Sequence, residues 1–89
     1  MLANFLLGHL KITEPAKLAL KRIPLDLIAR HAMNEHGIVT KREALANEKS
    51  MRTVGPIISR YKADPTNQKS VYIIIKTTDH WEETIVSVE

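Results

Sequence analysis

Histidine is the side chain that titrates nearest neutrality, so the search for chemistry begins at His31 and His36. They lie five residues apart rather than the four that would align two metal ligands on one helical face, and the chain has no cysteine. No metal site and no cofactor is expected. Arg30-His31 offers a cation beside an acid/base group, the pairing that phosphodiester cleavage uses. Tyr61 and Tyr72 read as packing residues with a polar tip, and Trp81 as an anchor for the core edge or for a partner. Glu82 and Glu83 are adjacent, so on a strand they point to opposite faces and cannot act as a carboxylate pair. The glycines Gly8, Gly37 and Gly55 are far apart, so there is no glycine-rich phosphate cradle. No catalytic constellation emerges, and the expectation is a protein that is not an enzyme.

The elements that position these residues read as helices followed by strands. Thr13, with Glu14 and Pro15 behind it, starts a helix over Glu14 to Arg22, with Leu18 as its main apolar residue. A second helix runs from Leu25 to Glu35 with Leu27, Ile28, Ala32 and Met33 facing inward, and Gly37 closes it. Thr40-Lys41-Arg42-Glu43 matches a capping box and opens a third helix to about Thr53. Its apolar stripe is thin: Ala44, Leu45, Met51 and Val54. After Gly55-Pro56 the period becomes strand-like, over Ile57–Ala63, Ser70–Thr77 and Glu82–Val88. Short loops between these strands predict an antiparallel meander. The fold class expected is therefore α+β, with two or three short helices packed on a three-stranded antiparallel sheet. Asn4 to Ile12 fits an extra strand or helix equally well.

At 89 residues the chain makes a single domain, 1–89, with a small core. The net charge of +3 is unevenly distributed. Met1–Lys76 holds 13 basic and 6 acidic residues, whereas Thr77–Glu89 holds 4 acidic and no basic ones. Alternation places Arg60, Lys62, Tyr72 and Lys76 on one sheet face, which must meet water because burying an unpaired cation is costly. Basic residues beside an aromatic are one ingredient of a nucleic-acid surface; the more ordinary reading is a solvated face whose long side chains cover Ile58 and Ile74. The apolar run Met1–Leu10 lacks the preceding positive charge and the cleavage site of a secretory signal, and no stretch is long enough to span a bilayer. A cytoplasmic location is expected.

Phe5-Leu6-Leu7-Gly8, Thr13, Ala16, Ala19-Leu20, Ala29-Arg30-His31 and Ala46-Asn47-Glu48 form a succession that continues through Ile58-Ser59-Arg60-Tyr61, Tyr72-Ile73-Ile74, Asp79 and Thr84. In order and spacing it resembles a family of small, functionally uncharacterised bacterial proteins carried on plasmids and other mobile elements. The chain departs from that pattern at Asn34-Glu35-His36-Gly37 and at His80-Trp81. The resemblance implies a mobile-element context and assigns no residue a role.

Two functions follow as expectations. The first is a non-enzymatic interaction module that binds a host protein or nucleoprotein, for example as an inhibitor of a defence system, through Arg60, Lys62, Tyr72, Lys76 and Trp81. The second is an RNase toxin similar in element order to the RelE/ParE superfamily, with His31, Arg60 and Tyr72 acting on RNA. A three-stranded sheet also leaves the weakly charged last strand as an edge, which predicts a homodimer across it.

Overall fold

Local capping sets the helix boundaries. The structure is a computed structural model and describes residues 4–89; Met1–Ala3, the start of the apolar run read for a leader, lie outside the described residues. A short strand, β1 (His9–Ile12), precedes the helices. Thr13 then accepts the Ala16 N–H at 3.3 Å and starts α1 (Glu14–Leu20), which Lys21 ends in the left-handed region at φ 60°. Helix α2 (Leu25–Ala32) has no side-chain cap and is held by packing of Ile28, His31 and Ala32. In α3 (Lys41–Thr53) the capping box is complete. The Thr40 hydroxyl accepts the Glu43 N–H at 3.0 Å, and the Glu43 carboxylate accepts the Thr40 N–H at 2.9 Å.

Strands β2 (Ile57–Lys62), β3 (Tyr72–Thr77) and β4 (Glu83–Val88) form the expected antiparallel meander. The sheet has four strands and is mixed, because β1 pairs parallel to β4 and gives the order β1-β4-β3-β2. This corrects the three-stranded antiparallel sheet. It also moves β4 from an edge to the interior, so a dimer cannot form across it. The parallel pairing needs Gly8, whose φ of 65° and contact with the β4 approach leave no room for a side chain: an added Cβ would lie 2.2 Å from Glu82 O.

The core lies between the sheet and α1–α2. Ile28, Tyr61, Ile73, Ile75 and Val86 form its centre, with Ile12, Leu20 and Leu27 packed against them. Burying a side chain such as Ile75 stabilises the fold by roughly 1.5–3 kcal/mol. Several expected inward residues point elsewhere. Leu18 is 77% exposed while Ala16 is fully buried, because the roughly two turns of α1 direct Ala16 and Leu20 inward and leave Leu18 on the solvent side. Helix α2 stops at Ala32, Met33 is exposed, and Gly37 bridges to Arg60 instead of ending the helix.

Helix α3 is docked differently again. Its buried residues are the polar Asn47 and Ser50, whereas Leu45 is 61% exposed. The Asn47 carboxamide lies against the outer edge of β2, donating to Ile58 O at 2.8 Å and accepting Ile58 N–H at 2.9 Å. Two residues further along, the chain at His36–Ile38 takes over: Arg60 N–H donates to His36 O at 3.0 Å and Ile38 N–H to Arg60 O at 2.7 Å. The edge of β2 is thus capped at Ile58 and Arg60 by an amide side chain and a fragment of extended backbone.

Candidate functional site

Cross-strand register builds the face of the sheet that α1 and α2 do not cover. Ile58 lies opposite Lys76, Arg60 opposite Ile74, and Lys62 opposite Tyr72. Lys76 lies in turn beside Ile85, and Ile85 beside Lys11, so one row runs Ile58, Lys76, Ile85, Lys11 across all four strands. Ile58, Ile74 and Ile85 are half-buried in the middle of this face, and longer polar side chains surround them. The four residues Arg60, Lys62, Tyr72 and Lys76 do share the face.

Their charges are not equivalent. Arg60 makes a two-pronged ion pair with Glu43, Nη1 to Oε1 at 2.8 Å and Nη2 to Oε2 at 3.1 Å, and its Nη1 also donates to Ile38 O at 3.1 Å. Hydrogen bonding from Arg60 holds the Glu43 carboxyl down to about 2, and the same pair raises the Arg60 guanidinium. Arg60 is therefore a strut between β2 and α3. Lys11 pairs with Glu83 at 2.7 Å. Lys62 and Lys76 have no carboxylate in ion-pair range among the described residues, and they are the open cations of the face.

On the opposite face, beneath α2, a chain of buried polar groups crosses the sheet. His31 is fully buried, with Nδ1 2.5 Å from Ser59 Oγ and Nε2 2.9 Å from Thr77 Oγ1. His36 Nδ1 lies 2.7 Å from Ser59 Oγ. Thr77 Oγ1 is 2.7 Å from Thr84 Oγ1, and Thr84 donates to Leu7 O at 2.6 Å. Counting protons fixes every donor. Thr84 spends its single hydrogen on Leu7 O, so Thr77 must donate to Thr84, and His31 Nε2–H must donate to Thr77. Burial, reinforced by the nearby His36, lowers the His31 pKa to about 3, so the ring is neutral and Nδ1 accepts from Ser59. Ser59 in turn accepts from His36 Nδ1–H. All donors point one way, from His36 to the Leu7 carbonyl. The edge of the Phe5 ring packs on His31 with centroids 5.1 Å apart, and Trp81 packs on Phe5 at 5.6 Å.

This arrangement separates the residues expected to cleave RNA. His31 sits beneath the sheet with both ring nitrogens engaged, while Arg60 and Tyr72 lie on the other face. The three share no surface. Trp81 stands apart from the open face as well: half-buried beside Phe5, it donates its indole N–H to Gly55 O at 2.9 Å, which makes it an anchor of the core edge. Sequence reasoning missed Ser59, Thr77, Thr84 and Asn47. A signal for the first three existed: small hydroxyl residues at inward strand positions must surround something that hydrogen-bonds. Among the described residues no three metal-ligating side chains converge. The chain matches no protein-family model, and comparison with curated proteins and with solved structures finds no match.

Proposed function

We propose that the protein is a non-enzymatic binding module whose open sheet face docks on an acidic surface of a macromolecule. The observation that carries this reading is the pair Lys62 and Lys76, which have no ion-pair partner among the described residues and stand beside Tyr72 and around half-buried isoleucines on the face that α1 and α2 do not cover. Apolar area supplies the affinity of such an interface and the lysines its orientation and encounter rate. Arg60, held by Glu43, fixes the edge of the face. The resemblance to mobile-element proteins supports a partner in the host cytoplasm, a protein or nucleoprotein such as a defence-system component that the module inhibits. A module of this size can bury a standard interface of roughly 800 Å² on its side.

The test compares the wild-type protein with the Lys62→Glu/Lys76→Glu protein. Both are cross-linked in nuclease-treated host extract, and the captured partner is then purified and titrated by calorimetry. The expected result is a partner bound at least ten-fold more weakly by the double variant. Equal affinity for both proteins refutes the assignment of the face, and cleavage of RNA by the purified wild-type chain refutes the non-enzymatic reading.

A further inference from the structure

Helix α3 stands at the rim of the molecule and turns only a narrow polar stripe toward it. Glu43, Asn47 and Ser50 make its contacts with β2 and the Gly55 turn. At 3.6 residues per turn, Lys41, Arg42, Lys49 and Arg52 fall within an arc of about 100° on the opposite side, centred near Leu45. All five are exposed, and none of the four cations is in an ion pair among the described residues. Solvated helix faces ordinarily mix signs at three- and four-residue spacing. Here Glu48 is the one carboxylate at the border of the arc, and Lys49 and Arg52, three apart, are like-charged neighbours. The stripe is about 16 Å long from Lys41 to Arg52.

We propose that the outer face of α3 is a binding surface for duplex DNA, with Lys41, Arg42, Lys49 and Arg52 neutralising backbone phosphates as the helix enters the major groove. Charge complementarity selects a polyanion. The shape of the element selects B-form DNA, whose major groove of about 12 Å admits an α-helix, over duplex RNA, whose major groove is deep and narrow. Small residues on the flanks, Ala44 and Ala46, let the helix backbone approach the groove walls. This surface is separate from the open sheet face. It names a partner class for a nucleoprotein-binding module without resting on the sheet-face assignment, and either can fail alone.

The test is fluorescence anisotropy of a fluorescein-labelled, mixed-sequence DNA duplex of about 20 base pairs between 50 and 200 mM NaCl. Four neutralised phosphates give a slope of log K against log salt of about −3.6, so affinity falls about 150-fold over that range. The Lys49→Glu/Arg52→Glu protein, altered only at exposed positions, should keep its far-UV spectrum and melting temperature, bind at least ten-fold more weakly at 50 mM salt and show a slope shallower by about 1.8. Lys17→Glu/Lys69→Glu changes the net charge equally at exposed sites away from α3 and should cost less than three-fold. The proposal is overturned by no binding of the wild-type chain at 100 μM protein in 50 mM salt. Equal losses in the two charge-reversed proteins, or equally tight binding of a duplex RNA of the same length, also overturn it.

Discussion

Lowering the pH from 7 to 5 should destabilise this protein through its buried His31 and half-buried His36. In the unfolded chain His31 titrates near 6.5, and in the folded protein near 3. A base with a depressed folded pKa binds fewer protons when folded, so its contribution to stability is complete above 6.5 and is lost as the pH falls toward 3. Between pH 7 and 5 the folded ring stays neutral while the unfolded one takes up its proton. That difference amounts to about 2 kcal/mol, rising to about 4 kcal/mol by pH 3. His36, whose pKa burial also lowers, adds to the loss in the same direction. Glu43 does not contribute in this window, because its stabilisation is lost only below 4.5. The geometry gives the physical reason. A second proton on His31 would place Nδ1–H against the Ser59 hydroxyl, which already accepts from His36 and has no other acceptor to turn to. The assay is urea denaturation at pH 7 and pH 5 and constant ionic strength. His31→Gln serves as the comparison, since an amide can accept from Ser59 and donate to Thr77 without titrating. The wild-type protein should lose about 2 kcal/mol or more, and most of that slope should vanish in His31→Gln. Nitrogen-15 imidazole shifts should also show the Nε2–H tautomer at His31 and Nδ1–H at His36. Stability unchanged within about 0.5 kcal/mol between the two pH values, or an equal drop in His31→Gln, would sink the reasoning.

Three further predictions concern single contacts. Asn47→Ala should cost about 2–4 kcal/mol in chemical denaturation, because it strips two hydrogen bonds from Ile58 and leaves its backbone unpaired at the β2 edge. Thr77→Val keeps the volume but deprives His31 Nε2–H of its acceptor, and a loss of about 1–3 kcal/mol is expected by the same measurement. Gly8→Ala should destabilise by more than about 3 kcal/mol, since both its φ and the carbonyl of Glu82 oppose a side chain; a melting temperature within a few degrees of wild type would contradict the tight β1–β4 approach.

The parts of the fold governed by local rules were readable in the sequence. Strands β2–β4 announce themselves by alternation, α3 by its capping box, and the shared face of Arg60, Lys62, Tyr72 and Lys76 by the cost of burying cations. Several of the misreadings share a physical cause: they concern contacts made by polar groups between distant residues. Hydrophobic periodicity assigns α3 the wrong inward side because Asn47 and Glu43, not Leu45, hold it to the sheet. His31 reads as an acid/base candidate beside Arg30 until Ser59 and Thr77, 28 and 46 residues away, are brought to its two nitrogens. Strand β1 is only four residues long, and its partner lies at the other end of the chain. Trp81 carries no mark in the sequence that shows its bond to the carbonyl of Gly55, 26 residues away.

The two rims of the sheet are unlike. At β2 the outward hydrogen-bonding groups of Ile58 and Arg60 are already taken by Asn47 and by His36–Ile38, whereas among the described residues no strand lies beyond β1 at the other border. A filament of stacked sheets needs two fully receptive borders on every subunit, one to give and one to receive. Among the described residues this protein has one. Strand addition is therefore self-terminating: a second sheet joined along β1 would consume the receptive border of both copies, and propagation would stop there.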